Sequence, residues 1–171
     1  MKIEFVMDDS PEKIALKRLF SSLDKETAER YGRFNSNDLR FGAEEIVNKI
    51  INDRNEIGFI GLDDKKYYLG PPIGYVHINI SEKESRRHSA GFGIVIHQDY
   101  QGQGYGELFM KKIFEEAKTW KVKKIWLHVY DYNKPAIKLY KKMGFKKTGV
   151  FEREEYKKGK YVDVFVMEKW L

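Results

Sequence analysis

The run Gln101-Gly102-Gln103-Gly104-Tyr105-Gly106 sets three glycines within five residues. Without a Cβ at those positions, successive backbone amides can turn toward one point. An apolar-periodic stretch with Leu108, Phe109, Ile113 and Phe114 follows and predicts a helix to about Trp120. The free N–H groups and positive dipole end of that helix add to the loop amides, and together they suit a pyrophosphate. Two commoner phosphate loops do not fit. The dinucleotide fingerprint needs a glycine where this chain has Glu107. The Gly-Lys pair Gly159-Lys160 is followed by Tyr161, not by the Ser or Thr of a P-loop. Dinucleotide oxidoreductase and P-loop NTPase are both set aside.

Other chemistry is narrowed by what the chain lacks. With no cysteine there are no disulfides, thiolate nucleophiles or cysteine-ligated metals. The histidines are His77, His88, His97 and His128, and none forms an HExxH or HxxxH pair, so no dedicated metal site is expected.

The loop needs a strand before it and a helix after it. Strands are predicted over 2–7, 56–62, 73–80, 89–96, 124–130, 145–152 and 161–168, with Lys157 to Lys160 as a hairpin turn. Ser10 and Pro11 mark a helix start, and Ile14, Leu16, Leu19, Phe20 and Leu23 supply its apolar stripe. Helical stretches also cover 24–32, then 38–51 with Phe41, Ile46, Val47 and Ile50, and 134–142. This order predicts an α+β fold, a mixed sheet with helices on both faces, and a single domain over residues 1–171.

At 171 residues the chain is long enough to bury a real core. No run approaches the ~20 apolar residues that span a bilayer, and the start does not read as a secretory signal, so no membrane partner and a cytoplasmic location are expected. The net charge of +6 is uneven, with 17 basic against 8 acidic residues over 111–171, a net of +9. Such a surplus suggests an anionic ligand without choosing among nucleic acid, a membrane surface and a phosphorylated small molecule. Most of the eleven tyrosines and three tryptophans sit at apolar-periodic positions and read as core, which weakens a base-stacking role. No specific nucleic-acid signature is present.

The segment Ile94 to Gly106, IVIHQDYQGQGYG, resembles motif A of the GNAT superfamily of acetyl-CoA-dependent N-acetyltransferases, with Gln101, Gly104 and Gly106 filling its core. Asn133, Ala136, Leu139-Tyr140 and Gly144-Phe145 resemble motif B at the family's spacing. The resemblance implies acetyl-CoA as co-substrate and an amine as acceptor, on a splayed sheet. It implies that the pantetheine arm pairs with the backbone of Ile94, Val95 and Ile96. The amides of Gly102, Gln103, Gly104, Tyr105 and Gly106 would hold the pyrophosphate, and Asn133 and Tyr140 would approach the sulfur and the arm.

The same resemblance assigns Tyr140 as the acid that protonates the departing thiolate. A common family carboxylate is absent, because Gly91 stands one residue after Ala90. In another group of the family the base lies on the next strand, where this chain has His128. Alternation puts Trp126, His128 and Tyr130 on one face of that strand, and an imidazole near ~6.5 can accept a proton at neutral pH. His77 is the second choice of base. The acceptor is open between a small polyamine or amino compound and a protein lysine or N-terminal amine. Glu152, Glu154, Glu155 and Asp163 are candidates to attract a cationic amine. Two rival classes are a non-catalytic acyl-CoA sensor and a basic nucleic-acid-binding module. Oligomeric state is left open between monomer and homodimer.

Overall fold

A computed structural model describes residues 2–5, 11–31, 38–63 and 70–171. Its elements are β1 (Lys2–Phe5), α1 (Pro11–Ser22), α2 (Lys25–Tyr31), α3 (Asp38–Asn52), β2 (Glu56–Leu62), β3 (Pro72–Ile80), β4 (Ser89–Ile96), α4 (Tyr105–Thr119), β5 (Lys124–Tyr130), α5 (Lys134–Lys142), β6 (Lys146–Lys157) and β7 (Lys160–Trp170). The strands form one mixed sheet in the order β1-β2-β3-β4-β5-β7-β6. The β4–β5 pair is parallel, while β1–β2, β2–β3, β5–β7 and β6–β7 are antiparallel. The element order is the one the sequence predicts. Residues 6–7 of the first predicted strand and Ser10 lie outside the described residues, as does the side chain of Phe41.

The chain divides into two compact units, the first comprising residues 1–79 and 93–113. In it Ala15, Leu16, Leu19 and Phe20 of α1 and Ile46, Val47 and Ile50 of α3 are buried together with Ile60, Leu62, Tyr75 and Val95. Ile14, expected in that stripe, is 57% exposed, because its position points away from the Leu16–Leu19–Phe20 side. Successive residues of β2 face opposite ways. Ile60 and Leu62 meet the α1–α3 core, while Gly61 faces the fully buried Phe109 of α4. Helices thus cover both faces of this part of the sheet.

A Cβ added at Gly61 would press into the Phe109 ring. Gly61→Ala is therefore expected to destabilise the chain by about 1–3 kcal/mol, the usual cost of overpacking. Urea unfolding monitored by circular dichroism reads this as a lowered midpoint with an unchanged slope.

The second unit comprises residues 80–92 and 114–171. Ile125, Leu127 and Val129 of β5 are buried on one face. An aromatic cluster gathers Phe92 of β4, Phe114 of α4, Tyr140 of α5 and Phe145, with ring centroids 5.8–6.3 Å apart across the contacting pairs. The tryptophans correct one expectation: Trp120 (57%), Trp126 (36%) and Trp170 (67%) are exposed, not core. Trp120 follows the last residue of α4, where its Nε1 donates to Glu116 at 3.0 Å, and Trp170 ends β7. The last hairpin is also longer than predicted, with β6 extending to Lys157.

Candidate active site

The glycine loop lies in the first unit, between β4 and α4. Gly102 and Gly104 have φ of 74° and 85°, the left-handed region that side chains with a Cβ rarely adopt. Nothing lies within 4 Å of a Cβ built at either one, so the space above them is open. The N–H groups of Glu107 and Leu108 turn back to the carbonyl of Gly104. No acceptor among the described residues takes the N–H groups of Gly102, Gln103, Gly104, Tyr105 or Gly106. These donors, at the start of a 15-residue helix, form a cradle for an anion.

The loop's glutamines hold it in place. Gln101 Nε2 donates to the Ile96 carbonyl at 3.0 Å and to Thr27 Oγ1 at 3.2 Å, while Gln103 Nε2 donates to the Asp99 carbonyl at 2.9 Å. Gln101 thereby ties the loop to the end of β4 and to α2. The sequence marks Gln101 as a motif position but does not reveal this tethering.

On β4, alternation of burial breaks at Gly93 and Ile94, which are both half-buried. The parallel register with β5 stops at Gly91↔Trp126. The residues of β4 after Phe92 belong to the first unit. Ile94, Val95 and Ile96 lie in this stretch.

In the second unit, Asn133 caps α5 by accepting the Ala136 N–H at 3.4 Å, and it is 9% exposed. The cap fixes the start of a nine-residue helix whose buried side carries Ile137 and Tyr140. The Tyr140 ring meets Phe92 edge-on at 6.1 Å and Phe145 at 5.8 Å. Its hydroxyl makes no hydrogen bond to any described residue. Burial holds the phenol well above its ordinary pKa, so it remains a proton donor across the neutral range.

His128 stands on the outer face of β5, exposed, with Trp126 at 5.2 Å and Phe151 edge-on at 5.3 Å. Desolvation lowers its pKa below the usual 6.5, partly opposed by the Glu154 carboxylate. The imidazole is therefore neutral at pH 7. His77 is placed differently. It is buried in the first unit, stacked on Tyr75 at 5.5 Å with Nδ1 3.6 Å from Glu56 Oε1, which also accepts the Tyr75 hydroxyl at 2.8 Å. That bracing fixes the orientation of the ring within the first unit. Among the described residues no group of three or more His, Cys, Asp or Glu is placed to hold a metal.

The acetyltransferase (GNAT) family model matches residues 17–145, which contain the cradle, β4, His128 and α5. The L-amino acid N-acetyltransferase AaaT of Escherichia coli is 33% identical over 101 residues, 58% of this chain and 62% of that protein's length. The spermidine N(1)-acetyltransferase of Vibrio cholerae is 32% identical over 122 residues, 71% of this chain and 67% of that protein. The crystal structure of a GNAT-family acetyltransferase from Streptococcus pneumoniae superimposes with a TM-score of 0.77 at 25% identity, covering 99% of both chains. Motif, fold and sequence match agree, and the chain belongs to the acetyltransferase (GNAT) family.

Proposed function

We propose that this chain moves the acetyl group of acetyl-CoA to a primary amine by direct attack within a ternary complex. The observation that carries the reading is the cradle of unpaired amides at Gly102 to Gly106, with open space above its two left-handed glycines. Those donors fit the pyrophosphate of coenzyme A. The extended backbone of Ile94, Val95 and Ile96 on β4 fits the amide-bearing pantetheine arm, which pairs like an added strand.

The remaining roles follow from proton balance. His128, neutral at pH 7, accepts the proton that the amine loses as its nitrogen bonds to the acetyl carbon. Tyr140 donates its phenolic proton to the sulfur as the carbon–sulfur bond breaks. Asn133 holds the helix that carries Tyr140, and its side-chain amide N–H groups remain available to the arm. The named relatives acetylate amino acids and spermidine, so a small amine is the acceptor class we favour.

Thermal unfolding tests the cradle. Acetyl-CoA at 100 times its Kd should stabilise the wild-type chain by ~2.7 kcal/mol. Gly104→Asp puts a carboxylate where phosphate must sit, on a backbone at φ 85°, and should abolish the shift. A wild-type chain unmoved by millimolar acetyl-CoA sinks the reading. A shift without CoA release on a panel of amines, read with a thiol reagent, would identify a sensor instead of an enzyme.

A further inference from the structure

Across the β5–β7–β6 part of the second unit, the register places Tyr130 opposite Val164 and Val162 opposite Glu155. Val162 and Val164 lie two residues apart on one strand, so all four side chains share one face. Glu155 reaches that face because β6 is irregular. Phe151 pairs with Val164, so an unbroken ladder would set Arg153 opposite Val162. The structure sets Glu155 there instead, displacing a cation with an anion. Arg153 adopts φ 52°, and its N–H is held by Asp163 Oδ1 at 2.9 Å. A bulge of this kind re-aims a side chain at a local conformational cost.

What Glu155 meets is an ammonium. Lys157 Nζ lies 2.8 Å from Glu155 Oε2 and 2.6 Å from the Tyr130 hydroxyl, and it sits 3.8 Å from the centroid of the Tyr130 ring. The Tyr130 hydroxyl in turn donates to Glu155 Oε1 at 2.8 Å. Tyr130 is buried and stacked on Tyr132 at 5.2 Å with the rings 5° from parallel, so the aromatic wall is fixed. The Lys157 ammonium and the Tyr130 hydroxyl hold the Glu155 carboxylate below its usual pKa, against the opposing effect of burial, so it is charged at neutral pH. A carboxylate, a hydroxyl and an aromatic face around one nitrogen are the elements that recognise an alkylammonium ion.

We propose that Tyr130 and Glu155 form a recognition site for the second ammonium of a diamine acceptor, and that Lys157 is its built-in competitor. The proposal rests on the acetyl-transfer reading. It narrows the acceptor to amines that carry a further positive charge. Tyr130 is two residues from His128 on the same face of β5, about 7 Å along the strand. A polymethylene chain running along that face then sets one nitrogen at Tyr130 and Glu155 and the other toward the imidazole. Lys157, on a flexible stem next to the hairpin turn, leaves the site when the diamine arrives.

Calorimetric titration without acetyl-CoA tests the site apart from catalysis. The probes are 1,4-diaminobutane and butylamine, added to the whole chain. The wild type should bind the diamine more tightly, and Glu155→Gln should remove about tenfold of that preference. Lys157→Met should strengthen diamine binding by about 3–10-fold, because the site no longer spends time closed on its own lysine. Tyr130→Phe keeps the ring, loses the hydroxyl and should weaken the diamine alone. Equal binding of both amines by the wild type overturns the proposal. So does weaker or unchanged diamine binding by folded Lys157→Met, which is what a simple hairpin brace predicts. If the diamine preference holds but no amine releases CoA, the site stands and the transferase reading falls.

Discussion

Tyr140→Phe is expected to lower kcat by about 10²–10⁴-fold while melting temperature and acetyl-CoA affinity stay close to wild type. The substitution keeps the ring, and the ring is what packs against Phe92 and Phe145. The hydroxyl makes no hydrogen bond to any described residue, so its loss breaks none and leaves no buried partner stranded. A structural hydroxyl would behave oppositely, with stability falling and rate surviving. The pH dependence follows from the same burial. Desolvation raises the phenol above its ordinary 10.0, so the acid is fully protonated through the neutral range. No activity limb below pH 10 should therefore belong to Tyr140, and Tyr140→Phe should lower the profile without moving it. The check is steady-state kinetics beside a melting curve and an acetyl-CoA titration. Full kcat in the variant would reduce Tyr140 to a packing residue.

The parts of this chain that were legible are those where one residue type meets a local constraint. Left-handed backbone at positions 102 and 104 admits glycine at little cost, so the loop declares itself. The face shared by Trp126, His128 and Tyr130 follows from strand alternation alone. Legibility failed where the structure depends on pairing between distant segments. The β6 irregularity that exchanges Arg153 for Glu155 is a register event between two strands, and nothing in Val150-Phe151-Glu152-Arg153-Glu154 marks it. Glu155 was visible as an acidic residue, but its partners Tyr130 and Lys157 were not. Trp120, Trp126 and Trp170 misled for a related reason: their apolar character predicts burial, while element ends and a sheet's outer face leave them exposed. The charge reading was coarser still, since a +9 surplus over 111–171 does not single out any one lysine.

His128→Ala should lower kcat/KM by about 10²–10⁴-fold at pH 7 and remove an ionisation from the pH profile. The sign is fixed by the role. A base works in its neutral form, so wild-type kcat/KM rises with pH through the free-enzyme pKa of the imidazole. Desolvation lowers that pKa, so the limb should lie below the ordinary 6.5 and activity should be on its plateau at pH 7. The nearby Glu154 carboxylate favours the protonated ring and works against this shift. Glu154→Gln should therefore move the limb further down in pH while leaving the plateau rate near wild type. An imidazole that merely packs against Trp126 and Phe151 would leave the limb unmoved by Glu154→Gln. Because the acceptor amine also titrates, the profile is taken with two acceptors of different pKa. The limb that follows the acceptor belongs to the substrate, and the limb that stays belongs to the enzyme. In His128→Ala the fixed limb should vanish, with activity recovering at high pH as hydroxide takes the proton. Retention of wild-type rate and profile in His128→Ala would remove it from the mechanism and leave deprotonation to solvent.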